Sequence, residues 1–198
     1  MFLLEVADVE KLYFTSDLHF GHYNICRFCN RPFLSRKEMD DTLIQNWNCV
    51  VPEDGIVICC GDLTLAHKPN YKEYWCYIKK LNGLIYLTRG NHDIIPLGDY
   101  FDLNDETQQK LKLSVHDKML VKTKDALIYA EHYPCLAFNG DYQVFGHIHT
   151  LANGKCYGKD APVIDKLSKN QYDVGVDQNN YRPISYADLA DIFQKRLA

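Results

Sequence analysis

The sequence has no long apolar segment. Its longest uninterrupted apolar runs cover only a few residues, such as IVICC at residues 56–60, whereas a membrane-spanning helix needs about 20. The first residues reach Glu5 and Asp8 early and have neither the basic start nor the small-residue cleavage site of a signal peptide. We therefore expect a cytoplasmic protein that has no membrane partner.

The sequence also has no excess of positive charge. It contains 22 lysines and arginines against 26 aspartates and glutamates, which gives a net charge of −4. Non-specific binding of nucleic acid depends on a basic surface. Nucleic acid is therefore not favoured as a partner, and any such contact would have to be local.

Repeats, low-complexity tracts and long glycine-serine linkers are absent from the 198 residues, which predicts a single domain over residues 1–198. A chain of this length buries a core without disulfides. Several of the eight cysteines lie inside apolar runs, so we interpret them as reduced thiols. Cys26 and Cys29 have zinc-knuckle spacing, but no second pair follows at a zinc-finger distance, so a structural zinc site is not expected.

The first half of the chain alternates between predicted strands and helices. Apolar segments at residues 11–16, 55–60 and 84–88 predict buried strands that each lead into a polar turn. Between them, Ser35 and Glu38 have the spacing of a helix capping box, and Leu34 and Met39 that of a hydrophobic staple.

A second helix is expected from Asn70 to the stop at residues 82–83. This order of strands and helices is typical of a parallel sheet.

The second half is predicted to be rich in β-structure, with strands at residues 118–122, 126–131, 143–145 and 173–176. A final helix is expected after Ser185, with a buried stripe of Leu189, Ile192, Phe193 and Leu197. Residues 104–113 fit either a helix or a loop.

Five motifs place polar groups at the ends of predicted strands: SDLHFGH (16–22), CGDL (60–63), RGNHD (89–93), EHYP (131–134) and GHIH (146–149). Groups beyond the carboxyl ends of strands in an α/β sheet converge on one crevice. Asp17 and His19 point to the same side of an extended segment and can bind one ion together, and His147 and His149 repeat this spacing.

The two oxygens of Asp62 allow it to bridge two cations. Without cations, such a cluster of buried carboxylates and imidazoles would be costly. Mixed nitrogen and oxygen ligands without thiolate suit Mn²⁺, Fe²⁺, Zn²⁺, Ni²⁺ or Co²⁺.

This order of motifs resembles that of the calcineurin-like metallophosphoesterases, whose pattern is D-x-H, G-D, G-N-H-D or G-N-H-E, a histidine, and G-H-x-H. The stretches NRPF (30–33) and GVDQNNYRPIS (175–185) look like those of the small bacterial and phage members. The resemblance implies an α/β fold, a two-sheet β-sandwich flanked by helices. It also implies two divalent ions, with Mn²⁺ favoured, in a cleft at one end.

The resemblance further implies a ligand set for each ion. The first ion would be held by Asp17, His19, Asp62 and His149, and the second by Asp62, Asn91, His132 and His147. The two ions would lower the pKa of a bridging water and orient the resulting hydroxide for in-line attack on phosphorus. His92 would act as the general acid, and Asp93 would orient it.

Four further residues are candidates for contacts with substrate phosphate: His22, Arg27, Arg31 and Arg89. His22 could equally well support a metal ligand instead of contacting the substrate. Each arginine could equally well form a salt bridge at the surface. His67 and His116 match no motif and are interpreted as structural. Leu65 stands where the purple acid phosphatase branch has a tyrosine ligand, so no tyrosinate–iron site is expected.

These features predict a metal-dependent hydrolase of phosphomonoesters or phosphodiesters that acts on a small molecule or a nucleotide. A metal-dependent nuclease is the alternative enzyme, although the negative charge and small size disfavour it. A catalytically weak binding module with the same fold is the other alternative, which the complete ligand set disfavours. No obligate protein partner is evident.

Overall fold

The computed structural model describes residues 1–65, 71–102, 110–151 and 166–198. The strands are β1 (Phe2–Glu5), β2 (Leu12–Thr15), β3 (Ile56–Cys59), β4 (Leu84–Thr88), β5 (Gly98–Phe101), β6 (Leu111–His116), β7 (Met119–Lys122), β8 (Leu127–Ala130), β9 (Tyr142–Phe145), β10 (Gln171–Asp173) and β11 (Ile184–Ser185). The helices are α1 (Asn24–Phe28), α2 (Arg36–Val50), α3 (Tyr71–Ile78) and α4 (Tyr186–Leu197), and Val9–Lys11 form a 3-10 turn. None of the helices in these ranges combines the length and apolarity that a membrane crossing requires.

The strands form two sheets, as the α/β sandwich prediction requires. The six-stranded sheet has the order β11-β2-β3-β4-β6-β5, and its four central strands are parallel. The five-stranded sheet has the order β1-β7-β8-β9-β10, in which only β7 and β8 pair antiparallel. The predicted parallel arrangement of the first three apolar strands is confirmed.

Strands β2, β3 and β4 of the six-stranded sheet divide their side chains between two cores. In β3, Ile58 packs between the sheets, whereas Val57 and Cys59 face the helices, as the two-residue period of a strand dictates. Met39 and Trp47 of α2 cover this outer face. The strands are therefore buried on both sides, which explains their continuous apolar sequences.

The predicted cap of α2 is confirmed, but the predicted staple is wrong. The Ser35 hydroxyl accepts a hydrogen bond from the Glu38 amide at 3.1 Å, and the Glu38 carboxylate accepts from the Leu34 amide at 2.8 Å. The Leu34 side chain is 87% exposed, whereas Met39 is buried. The Leu34 backbone thus contributes to the cap while its side chain lies in solvent.

The C-terminal helix α4 begins at the predicted cap, because the Ser185 hydroxyl accepts from the Asp188 amide at 3.1 Å. Leu189 and Phe193 are buried as predicted and Ile192 packs partly buried against the same core, but Leu197 in the last turn is 51% exposed.

Two strand boundaries also bear on the sequence predictions. Strand β10 ends at residue 173, two residues after it begins, so the predicted strand at 173–176 is wrong in its position. Residues 111–113 belong to β6 rather than to a helix or loop. Asn70, His67 and residues 104–109 lie outside the described residues.

Candidate metal centre

The predicted site lies where the parallel strands of both sheets end. The loops after β2, β3 and β4 carry Asp17, Asp62 and Asn91, and the loops after β8 and β9 carry the histidines of the other sheet. Ser16 pairs with Gly175, which follows β10, in an isolated parallel bridge. Backbone pairing therefore joins the strand ends of the two sheets directly beside the site.

The first predicted ligand group converges. Asp17, His19 and His149 each offer a donor atom, and these atoms lie within 4.8 Å of one another. One Asp17 oxygen is 3.9 Å from the Nε2 atoms of both histidines. The Asp17 carboxylate also accepts from the His147 amide at 3.0 and 3.1 Å, which holds the GHIH loop against the DLH loop.

The second predicted group converges around Asn91. The Asn91 side-chain oxygen is 3.1 Å from His132 Nε2 and 3.0 Å from His147 Nδ1. His132 Nδ1 donates to the Cys60 carbonyl oxygen at 2.8 Å, because a carbonyl can only accept. The lone pair of His132 Nε2 therefore faces Asn91.

Asp62 lies between the two groups. Its Oδ2 atom is 3.5 Å from His19 Nε2 and 3.5 Å from His132 Nε2. Two donor atoms that bind one ion at about 2.1 Å lie about 3 to 3.5 Å apart. The other Asp62 oxygen, Oδ1, accepts a hydrogen bond from the His92 amide at 2.9 Å, which fixes the carboxylate in this orientation. Asp62 is thus placed where a bridging ligand would have to be.

The His19 ring shows that a cation fits this arrangement. His19 is buried, its Nδ1 lies 3.4 Å from His22 Nδ1, and its Nε2 has no hydrogen-bond partner among the described residues. Burial, together with the nearby His149, lowers the pKa of His19 well below its usual value, so the ring is neutral. A buried polar atom without a partner costs about 1–3 kcal/mol, and a metal ion would satisfy this one.

The buried Asp62 carboxylate is also suited to a cation. Burial raises the pKa of Asp62 to about 7; His132 opposes this shift and the Asp17 carboxylate reinforces it. Proximity of a cation favours the ionised form of a carboxylate. A divalent cation beside Asp62 would therefore favour the ionised carboxylate, which is the form that binds metal.

The backbone of the site is strained at the ligands themselves. Non-glycine residues rarely adopt a positive φ, which costs about 1–2 kcal/mol. Five predicted ligands do so, with φ of 57°, 54°, 51°, 72° and 48° at Asp17, His19, Asp62, His147 and His149. Packing adds a second constraint, because a Cβ at Gly90 would lie 2.1 Å from Asp62 Oδ1. The fold thus holds these loops in one arrangement at an energetic cost.

His92 lies at the open side of the first group. Its ring centroid is 5.1 Å from that of His19 and 5.8 Å from that of His22. One of its ring nitrogens belongs to a compact group with donor atoms of His19 and Asp62. Burial lowers the pKa of His92, and the charge of Asp93 opposes this shift.

Asp93 has a different role from the one expected. Sequence reasoning made it the residue that orients His92, but its two oxygens accept four hydrogen bonds of 2.6 to 3.1 Å from the Tyr74 hydroxyl and the amides of Asp62, Leu63 and Gly90. The buried carboxylate therefore fastens the loops that carry Asp62 and Asn91 to each other.

Arg31 is not placed to contact a substrate. It is 4% exposed, and its guanidinium donates to both oxygens of Asp177 at 2.8 and 3.0 Å. It also donates to the carbonyl oxygens of Asp17 at 2.6 Å and Leu18 at 3.0 Å. The expectation of a phosphate clamp at Arg31 is corrected to a contact behind the ligand loops.

The other three substrate candidates lie nearer to solvent. Arg89 donates to exposed Asp117 at 2.5 and 3.2 Å, and Arg27 is exposed on α1. His22 is half-buried against His19. Of these candidates, only His22 is in contact with a predicted ligand in the described structure.

Sequence reasoning missed Asp177, which accepts from His149 Nδ1 at 2.8 Å. Its signal is a carboxylate directly after a buried apolar segment that follows β10. Cys29 offers its sulfur to a compact group with His149 and Asp177, whereas the sulfur of Cys26 contacts that of Met39 at 3.4 Å. The two cysteines of the knuckle spacing therefore have different surroundings.

A second missed residue is Tyr133, which is 42% exposed. Its ring centroid lies 4.6 Å from that of His147 and 4.9 Å from that of His132, both in edge-on contact. The tyrosine therefore forms one wall of the second ligand group.

The site thus comprises two groups of nitrogen and oxygen donors, with Asp62 between them, where the strand ends of the two sheets meet. The family model of the calcineurin-like phosphoesterases matches residues 10–170. The chain belongs to this family, whose members hydrolyse phosphoesters with divalent metal ions.

Two individual proteins are similar to this chain over most of its length. The uncharacterised protein MJ1445 of Methanocaldococcus jannaschii is 35% identical over 187 residues, which are 94% of this chain and 93% of that protein. The crystal structure of AQ665 from Aquifex aeolicus, a protein of unknown function, shares the fold with a TM-score of 0.62 at 21% identity. That match covers 91% of this chain and 98% of the other.

Proposed function

We propose that this protein hydrolyses a phosphomonoester or phosphodiester, of a small molecule or a nucleotide, with two divalent ions bridged by Asp62. The observation that carries the proposal is the position of Asp62 Oδ2, 3.5 Å from one ring nitrogen in each ligand group. A carboxylate oxygen placed between two otherwise separate groups serves a pair of ions better than one ion. Mn²⁺ is the favoured metal, because the donors are imidazoles, carboxylates and an amide oxygen.

In this reaction the protein would bind the two ions, orient the phosphate ester and donate a proton to the leaving oxygen. When bound, the two ions would supply Lewis acidity and would lower the pKa of the attacking water. His92 stands beside both Asp62 and His19, in a position to give a proton to the leaving oxygen. Asp93 keeps the loops under the phosphoryl group in register through its four hydrogen bonds.

The proposal is tested by metal analysis together with a panel of phosphate esters. Purified protein is stripped with a chelator, reconstituted with Mn²⁺, and measured for bound metal per chain and for hydrolysis of nitrophenyl phosphate and bis(nitrophenyl) phosphate. We expect two ions per chain and activity that chelation abolishes. Binding of no metal and turnover of no ester would refute both the site and the activity.

The same panel separates the alternatives. Cleavage of single-stranded DNA or RNA in preference to nucleotides would favour the nuclease. Two bound ions without hydrolysis of any ester would favour the binding module.

A further inference from the structure

We propose that Arg31 and Asp177 are positioning residues that fix the Asp17 loop and the His149 ring for one metal ion. The inference rests on the proposed function, because it assigns these residues to the first of the two ion positions. Both side chains are buried behind the ligands and neither faces the open side of the site.

The first step concerns the ring of His149. Its Nδ1 lies 2.8 Å from Asp177 Oδ2, while its Nε2 faces Asp17 Oδ1 at 3.9 Å. A carboxylate in a salt bridge accepts hydrogen bonds and does not donate them, so Nδ1 carries the proton. The Nε2 lone pair is then directed at the ion position, and the hydrogen bond prevents the ring from turning.

The second step concerns the guanidinium of Arg31. It binds Asp177 through Nε at 2.8 Å and through one terminal nitrogen at 3.0 Å, which sets the plane of the carboxylate. It also binds the carbonyl oxygens of Asp17 at 2.6 Å and Leu18 at 3.0 Å. Asp17 itself has a positive φ of 57°, so these bonds hold a strained turn.

One guanidinium therefore links two ligands that come from different sheets. Asp17 follows β2 in one sheet, and His149 follows β9 in the other. Arg31 and Asp177 belong to the stretches NRPF (30–33) and GVDQNN (175–180), and neither stretch contains a predicted metal ligand. A lysine would keep the charge but offers no planar fork for these acceptors.

The test compares Asp177→Asn and Arg31→Lys with the wild type, and Asp54→Asn serves as a matched control in the exposed Lys11–Asp54 pair. The asparagine keeps the volume, but its NH₂ group must face an Arg31 donor in either orientation, and in one of them it also faces the His149 Nδ1 donor. Each protein is titrated with Mn²⁺, and bound metal is measured by equilibrium dialysis and electron paramagnetic resonance. We expect about a 10- to 100-fold loss of affinity for one ion in Asp177→Asn and Arg31→Lys, and no change in the control.

A double-mutant cycle separates positioning from general destabilisation. In a His149→Ala background, Asp177→Asn should change Mn²⁺ affinity by less than about threefold, because the ligand through which it acts is gone. An equal loss in both backgrounds, or a variant that keeps both ions at full affinity, overturns the proposal. Should Asp177→Asn fail to fold, Asp177→Glu, which keeps the charge but displaces the carboxylate from His149 Nδ1, takes its place in the same cycle. A wild type that binds no metal would instead refute the proposed function.

Discussion

Asp62 is the residue on which the two halves of the site depend. Its carboxylate accepts one hydrogen bond from the His92 amide and its own backbone amide donates to Asp93, so the protein itself fixes its position. Its Oδ2 atom remains directed between the two ligand groups. A bridging ligand affects both ions when it is changed, whereas a ligand at one end affects mainly one.

Asp62→Asn is therefore expected to reduce bound Mn²⁺ below one ion per chain, while His19→Ala keeps about one. The neutral amide of asparagine supplies one oxygen and no charge to a site that needs a carboxylate for both ions. Metal content after dialysis measures the difference, with Asp54→Asn as the control for the substitution type. Retention of both ions in Asp62→Asn would show that it is no bridge.

The side chains of Asn91 and His92 are adjacent in sequence but lie in different parts of the site. Asn91 Oδ1 lies among the second group of donors, whereas the His92 ring lies beside His19 and His22. The geometry therefore fits the proposed division between a ligand, Asn91, and a proton donor, His92.

His92→Ala is expected to keep both ions and to lower kcat by about 10²- to 10⁴-fold, the usual contribution of a positioned general acid. Asn91→Ala should instead lower the affinity of the site for the second ion. The loss in His92→Ala should be smaller for a nitrophenyl ester than for an alkyl or nucleoside ester, because nitrophenolate needs little protonation. Equal losses across leaving groups of very different pKa would favour electrostatic stabilisation of the phosphoryl oxygens, and loss of metal would contradict both roles.

The residues that could be predicted from the sequence are those whose chemistry and spacing both carry the signal. The seven predicted ligands lie together because each follows a recognisable apolar strand. Asp177 follows a buried apolar segment and so has a local signal, but its pairing with His149 and with Arg31 could not be predicted, because these partners are 28 and 146 residues away along the chain. A pairing over such separations depends on how the two sheets meet, which no local pattern encodes.

At the scale of single elements, local chemistry predicts where helices begin better than which side chains they bury. The caps at Ser35 and Ser185 are confirmed because each hydrogen bond spans three residues. The exposure of Leu34 and Leu197 depends on what lies beyond the ends of the helices. Tertiary packing thus decides whether a side chain at the end of a helix is buried, and the apolar periodicity of the sequence does not predict it.

The cap of α2 also gives a measurable contribution to stability. Ser35→Ala removes the acceptor for the Glu38 amide and is expected to lower the free energy of unfolding by about 1 kcal/mol. Urea unfolding of the metal-free protein measures this loss without the effect of bound ions. Ser35→Asp, which restores an acceptor, should recover most of it, and an unchanged midpoint in Ser35→Ala would contradict the role of the cap.

At the scale of the whole molecule, the site lies where the two sheets are joined. Ligands from the six-stranded sheet and from the five-stranded sheet meet there, and the Ser16–Gly175 bridge and the Asp17–His147 hydrogen bonds connect the same edge. The loops carry backbone strain at five predicted ligands, and they hold the buried carboxylates of Asp17 and Asp62, which bound ions would pair with. Metal binding should therefore stabilise the sandwich as well as serve the reaction.

We expect Mn²⁺ to raise the melting temperature of the chelator-stripped protein. An ion that binds only the folded state adds about 2.7 kcal/mol at a hundredfold excess over its Kd, and for a chain of this size each 1 kcal/mol shifts Tm by about 2–4 °C. One occupied position therefore predicts a rise of about 5–10 °C, measurable by differential scanning calorimetry and reversed by chelator. Asp62→Asn should lose most of this rise, whereas Asp54→Asn should keep it. An equal rise in Asp62→Asn would mean that Mn²⁺ stabilises the protein somewhere other than at the joined edge of the two sheets.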